Sequence, residues 1–267
     1  MEISCRQTDY LLSPASLFTD FPVLQSKNYI LRLASTEEEL ESIFRLRFEV
    51  FNLELGLGFS TSSLTQMDQD RFDAICHHLM LISKLTGKAI GTYRMQTYIM
   101  ASQGLGFDAA DIFNLNQIPG SVLQKSVEIG RACIAKKYRN SQALFLLWEG
   151  LANYLIWTGS KYFFGCASLL TQNYWLGSCA YHYFRQNNLM HPSILVYPNA
   201  QYSIELAQQC PDACNVNIPN ILQAYLNIGA KICSLPAIDK QFKTIDFLTM
   251  SNIEDFVKWN SELSLRR

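Results

Sequence analysis

The stretch Glu128-Ile-Gly-Arg131-Ala-Cys133-Ile134-Ala135 runs straight into Lys136-Lys137-Tyr138-Arg139-Asn140-Ser141-Gln142 and then into the apolar segment Ala143 to Trp157. A glutamate and an arginine sit on a short β-run, the run ends in a basic loop of small residues, and the loop opens into a helix. Strand, cationic loop and helix N-terminus together form a pyrophosphate cradle. Unpaired N–H groups and the positive end of the helix dipole point at the anion, and Arg139 adds charge.

The composition supports a globular chain. Of 267 residues 49% are hydrophobic and only 17% charged, enough to bury a full core in one large domain with extensions. A net charge of −1 leaves no electrostatic footprint for nucleic acid. The apolar segment Ala143 to Trp157 is broken by Glu149, Gly150 and Asn153, so it reads as a buried helix rather than a membrane span. Arg6 is followed by polar residues and Asp9 instead of an apolar run, so the cytoplasm is the expected location. The cysteines are scattered and read mostly as reduced, buried small hydrophobes; the pair Cys210 and Cys214 lacks the further ligands that zinc requires. No metal or permanently bound cofactor is expected.

Outward from the opening stretch, Tyr29 to Leu33 reads as a first strand. A capping box at Ser35/Glu38 or Thr36/Glu39 starts a helix that carries Leu40, Ile43, Phe44, Arg47, Val50 and Phe51 and ends near Asn52. Gly56 to Met67 is a loop of lid length, followed by the acidic cluster Asp68, Asp70, Phe72 and Asp73. His78 to Ser83 and Ala89 to Met95 form a hairpin turning at Thr86-Gly87. After the helix that begins at Ala143 come a strand at Tyr162 to Ala167, an aromatic helix from Tyr174 to Phe184, and a strand near Ile194 to Tyr197. The predicted organisation is an extension (1–28), one domain with a C-terminal extension (29–250) and a tail (251–267).

The order β–α–β–β–β–α–β–α–β resembles the GNAT (acyl-CoA N-acyltransferase) fold, an α/β architecture with a central mixed sheet flanked by helices. The ordered set Arg47-Phe48, Asp70-x-Phe72-Asp73, Gly-Thr-Tyr-Arg94, Glu128-x-x-Arg131, Tyr138-Arg139-Asn140, Leu147-Trp148 and Phe164-Gly-Cys-Ala-Ser168 is similar to the hemolysin-like, ornithine-acyl-carrier-protein N-acyltransferase branch. That branch is similar in turn to acyl-homoserine lactone synthases. The likeness continues through Tyr225-Leu-Asn-Ile-Gly-Ala230, Pro236-Ala-Ile-Asp239 and Thr244-Ile-Asp246. Two departures stand out. The usual R-x-x-G-x-G/A loop is here Arg139-Asn-Ser-Gln142-Ala143-Leu144, without its glycines, and a position where such enzymes keep a tyrosine acid is Phe184, beside Tyr181 and Tyr183.

The resemblance implies attack of an amino acid's amine on an acyl thioester, giving a lyso-aminolipid of the ornithine or glycine type. The donor it implies is a phosphopantetheine-linked fatty, 3-hydroxyacyl, group on acyl carrier protein, with acyl-CoA as the alternative. A lipid product implies peripheral association with the inner face of the membrane.

In that scheme Glu128 accepts the amine proton and Arg131 orients it or holds the substrate carboxylate. A bulge at Gly130 would turn both side chains one way. Arg47, Asp70, Phe72, Asp73 and Arg94 are the expected amine pocket. Ile134, Arg139, Asn140, Ser141, Gln142 and Ala143 are expected to hold the donor, with Lys136 and Lys137 docking the carrier.

Structural alternatives accompany each assignment. Glu128 and Arg131 suit a cross-strand salt bridge, Asp70 and Asp73 suit caps and turns, and Arg47 suits a snorkelling position, against a buried ion pair with Asp70 or Asp73 that shapes the amine pocket. Cys133 reads as packing, and of His77 and His78 one packs and the other is solvated. The rival functions are an acyl-homoserine lactone synthase, disfavoured by the extended C-terminal third, and a non-catalytic acyl-binding domain.

Overall fold

Alternating burial along Tyr29–Leu33 and near-continuous burial along His77–Ser83 set the core of the computed structural model, which describes residues 20–59, 61–207 and 216–254. The strands are β1 (Leu24–Gln25), β2 (Tyr29–Leu33), β3 (His77–Ser83), β4 (Ala89–Thr97), β5 (Ser126–Ile134), β6 (Tyr162–Leu169), β7 (Lys231–Ile232), β8 (Ala237–Asp239) and β9 (Thr244–Asn252). The helices are α1 (Glu37–Phe48), α2 (Ser62–Thr65), α3 (Tyr98–Gln103), α4 (Gly120–Leu123), α5 (Ser141–Thr158), α6 (Tyr174–Gln186) and α7 (Asn220–Asn227). The chain divides into two compact units. The first holds the described part of Met1–Gly106 with Ile129–Ser160, the second Phe107–Glu128 with the described part of Lys161–Arg267. Strand β5 contributes its first residues to the second unit and the rest to the first.

In the first unit β1, β2, β3 and β4 pair antiparallel in sequence order, with Leu31 opposite Leu81 and His78 opposite Arg94. Beyond β4 lies β5, whose chain leaves through a hydrogen bond from Ala135 N to Ile90 O of 2.8 Å. Side chains alternate across a strand. Leu31, Leu79 and Leu81 therefore share one face, and α5 lies on it. A Cβ at Gly150 of α5 would come within 2.2 Å of Leu31 Cδ2, so the close approach of this helix depends on glycine. Met80 and Ile82 share the other face with Leu40, Ile43 and Phe44 of α1. His78 and Arg94 lie on that second face as well, which places them under Arg47 of α1.

In the second unit Val127 and Glu128 pair parallel with Phe163 and Phe164 of β6. Strand β6 then pairs antiparallel with β9 from Tyr162 opposite Asn252 to Leu169 opposite Ile245, and β7 and β8 both join β9. One face of this sheet, with Ala167, Leu169, Ile245 and Phe247, is covered by Ala180, Tyr181 and Phe184 of α6 and by Leu222 and Leu226 of α7.

The predicted elements recur with differences, among them the short helix α2 inside the loop expected over Gly56 to Met67. Helix α1 continues beyond Phe48 as a wide turn, Glu49–Glu54, closed by Leu55 N donating to Val50 O. The extension assigned to residues 1–28 contains β1. The strand expected at 194–197 reduces to a bridge between Val196 and Ser234, in a segment bounded by Pro192 and Pro198, which lack the N–H a ladder needs. Among the described residues Cys76, Cys133, Cys166 and Cys233 form no disulfide, in line with cysteines that are mostly reduced, and Cys179 is disulfide-bonded. The Cys210/Cys214 pair lies outside the described residues.

Candidate active site

Arginines 47, 94 and 131 and aspartates 68, 70 and 73 meet in the first unit as one buried ion network. The fully buried Arg47 guanidinium holds Asp68 Oδ1 at 2.7 Å through Nη2 and Asp73 Oδ1 at 2.7 Å through Nη1. Arg94 reaches Asp70 at 2.6 Å and Asp73 at 3.1 Å, while Arg131 reaches Asp70 at 2.7 Å and Asp68 at 3.7 Å. Positive and negative charges balance, which is what allows so many ions to leave water together. Burial raises the Asp70 carboxyl, but the charges of Arg94 and Arg131 outweigh it and hold it below its usual range. Burial acts likewise on Asp73, and Arg47 and Arg94 pull it down further. Of the residues expected in an amine pocket, the structure thus brings Arg47, Asp70, Asp73 and Arg94 together, with one another as partners. Phe72 is buried with the Arg94 guanidinium 5.7 Å from its ring centre. Asp68, noticed in sequence only as part of the acidic cluster, is the missing third anion.

The unusual backbone of β5 falls on Arg131 rather than Gly130: Arg131 has φ of 50°. A left-handed conformation costs a side-chain-bearing residue on the order of 1–3 kcal/mol. Its guanidinium is held by Asp70 and lies 4.7 Å from the Phe59 ring centre. Glu128, in the second unit, has other partners. Its two oxygens accept the backbone N–H groups of Asp108 (2.8 Å) and Ala109 (2.7 Å), at the start of the short 3-10 turn Asp108–Asp111.

The loop before α5 is built as a helix entry. Lys136–Tyr138 make a 3-10 turn, and Asn140 caps α5 by accepting from Ala143 N at 3.0 Å. Ser141 opens the helix, and Gln142 accepts from Asn28. Arg139 donates to Ile134 O and pairs with Glu54 at 2.6 Å, so part of its charge is compensated within the protein. Lys137 lies 5.1 Å from the Tyr138 ring centre.

The remaining candidates pack. Burial pushes both His77 and His78 down to about 4; His78 packs, as expected of one of the pair, and bonds the Asp73 carbonyl at 3.0 Å, while His77 is half-buried and bonds the Tyr154 hydroxyl at 2.8 Å. Burial pushes the Cys133 thiol up to about 12, which removes it as a nucleophile. Phe184 is fully buried against Phe247 at 5.1 Å between ring centres. Among the described residues no group of histidines, cysteines and carboxylates is placed to hold a metal ion.

Residues 46–149, which span the ion network, β5 and the loop before α5, match the acetyltransferase (GNAT) domain family. Those residues form a GNAT acetyltransferase domain, and the chain is an N-acyltransferase. Its curated relatives include the L-ornithine N(alpha)-acyltransferase of Brucella abortus, 29% identical over 240 residues that cover 84% of each chain. Another, of the same name, is from Rhizobium meliloti and is 27% identical, covering 83% of this chain and 79% of the relative. Among solved structures, the chain is similar to BjaI, a CoA-dependent acyl-homoserine lactone synthase, with a TM-score of 0.49 at 12% identity, covering 88% of this chain and 89% of that one.

Proposed function

We propose that this N-acyltransferase moves a fatty, 3-hydroxyacyl, group from the phosphopantetheine of acyl carrier protein to the α-amine of an amino acid, giving a lyso-aminolipid of the ornithine or glycine type. The observation that carries the reading is likeness along most of both chains to enzymes that acylate ornithine at its α-nitrogen.

In this reading the free amine attacks the thioester carbonyl, the tetrahedral intermediate collapses, and the thiol leaves carrying a proton. The proton lost by the nitrogen passes to Glu128, directly or through a water. A carboxylate oxygen can accept more than one hydrogen bond, so the two backbone N–H contacts are compatible with that role. No covalent enzyme intermediate is required, because positioning alone contributes on the order of 7–11 kcal/mol. A backbone N–H near Cys133 or Ile134 receives the oxyanion. Arg131 acts by holding Asp70 and fixing the shape of β5. The enzyme works in the cytoplasm, at the inner membrane face into which its product partitions; no helix among the described residues is long and apolar enough to cross a membrane.

The carrier-protein donor follows from the loop. With Arg139 tied to Glu54 and both loop glycines absent, Lys136 and Lys137 are the charges left to meet an acidic carrier surface. Reversing both lysines to glutamate is expected to lower kcat/KM for acyl carrier protein by about tenfold or more at low salt, with little change for acyl-CoA and a difference that fades at high salt. Equal loss with both donors would assign the lysines to the pyrophosphate or to the fold.

A further inference from the structure

One face of the second unit's sheet is apolar and covered by α6; the opposite face is polar. Residues paired across strands project to the same side, and residues two apart along a strand do as well. Phe164, Cys166 and Ser168 of β6 therefore share a face with Glu128 opposite Phe164, Leu248 opposite Cys166 and Asp246 opposite Ser168. Thr244 and its partner Asp239 belong to the same face. Asp108 adjoins it, since its backbone N–H bonds Glu128 and the neighbouring Phe107 ring stands edge-on to Phe164 at 4.9 Å.

Glu128 and Asp239 are engaged by backbone: Asp239 Oδ1 accepts from Gln241 N at 2.7 Å and Phe242 N at 2.9 Å. Asp246 differs. It is 4% exposed, and its Oδ1 is buried without a hydrogen-bond partner; on the same face Thr244 is 2% exposed and its Oγ1 is equally unpartnered. Burial pushes the Asp246 carboxyl up to about 6, against the pull of the Ser168 and Thr244 hydroxyls and with the repulsion of Asp239 and Asp108. The Cys166 thiol beside it is raised well above its usual value, first by burial and then by Asp246, Glu128, Asp108 and Asp239. The strongest charges on this face are thus all negative. Cys166 and Ser168 are half-buried, so this face is not fully sealed beside Asp246.

A buried carboxylate without a counter-ion is costly, and a cation that fits beside it removes that cost. We propose that this face is a recognition site for an alkylammonium group, with Asp246 as its anionic end and the hydroxyls of Thr244 and Ser168 beside it, and that its ligand is the side-chain ammonium of a diamino acid acceptor. The proposal rests on the reading of the acceptor as an amino acid. It adds the residues that select an acceptor carrying a second amine. An ammonium donates three hydrogen bonds, enough for the carboxylate and both hydroxyls.

The test compares L-ornithine with L-norvaline, the same carbon skeleton without the side-chain amine, using the purified full-length enzyme and one acyl donor. A site with an unpaired buried acceptor rejects an analogue that lacks the donor, so the wild-type enzyme is expected to prefer ornithine by about 100-fold or more in kcat/KM. Asp246→Asn is expected to shrink that ratio to below about tenfold, mainly by raising KM for ornithine, with KM for the acyl donor constant. Thr244→Val is expected to shrink it less and in the same direction, which keeps the test decisive if Asp246→Asn fails to fold. Wild-type enzyme that acylates norvaline as well as ornithine, or variants that lose both rates in equal proportion, would overturn the proposal and leave the amino-acid reading standing. Wild-type enzyme that acylates neither overturns that reading and the proposal with it.

Discussion

Replacing Arg47 by methionine is expected to lower the stability of this enzyme by about 3–5 kcal/mol, the usual cost of removing one partner from a buried ion pair. Methionine fills part of the volume but leaves Asp68 and Asp73 without the guanidinium that each contacts at 2.7 Å. The loss is read as a lower urea midpoint at unchanged slope. The pH dependence has a definite sign. Asp70 and Asp73 are held below their usual values in the folded protein. The stability they contribute is therefore fully present above the unfolded carboxyl value of about 4 and is lost as pH falls from there through the folded values. The variant keeps Arg94 and Arg131 on Asp70 but loses the Arg47 share of the hold on Asp73, so its decline into acid should be somewhat flatter. A variant of wild-type stability with a raised KM for the amino acid alone would instead return Arg47 and its aspartates to the substrate pocket.

Glu128→Gln is expected to lower turnover by roughly 10²–10⁴, the range associated with loss of a positioned base. The amide also places an N–H₂ against one of the two backbone N–H groups that the carboxylate accepts, so some stability is lost with it. The two effects separate in a rate measured well below the melting temperature and corrected for the folded fraction. A corrected rate equal to wild type would make Glu128 a structural acceptor for the turn at Asp108. A remaining deficit, together with loss of the acidic limb of the pH–rate profile, supports the base.

The hairpin, α5 and the β5–α5–β6 unit were legible because their signals are local: apolar periodicity, a glycine turn at Gly87, and a basic loop of small residues running into an apolar segment. The ion network was half legible. Its members could be picked out as charges beside apolar neighbours, but that Arg47 meets Asp68 and Asp73 while Arg94 and Arg131 meet Asp70 depends on which face of α1, β4 and β5 each occupies. Asp68 was left out of the site for that reason. The left-handed backbone at Arg131 carries no sequence mark, since glycine next to it was the natural place for a distortion. The polar face around Asp246 was invisible because β8 and β9 must be paired in register before Asp239, Thr244 and Ser168 come to share a side.

The account's central claim is transfer of an acyl group to the nitrogen of an amino acid, and mass spectrometry of the product tests it most directly. Purified enzyme incubated with a 3-hydroxyacyl carrier protein and L-ornithine should yield a species with the mass of ornithine plus the acyl chain less one water, whose fragments place the chain on the α-nitrogen. Carrier thioester consumed without any N-acylated amino acid, across ornithine, glycine and the other common amino acids, would contradict it.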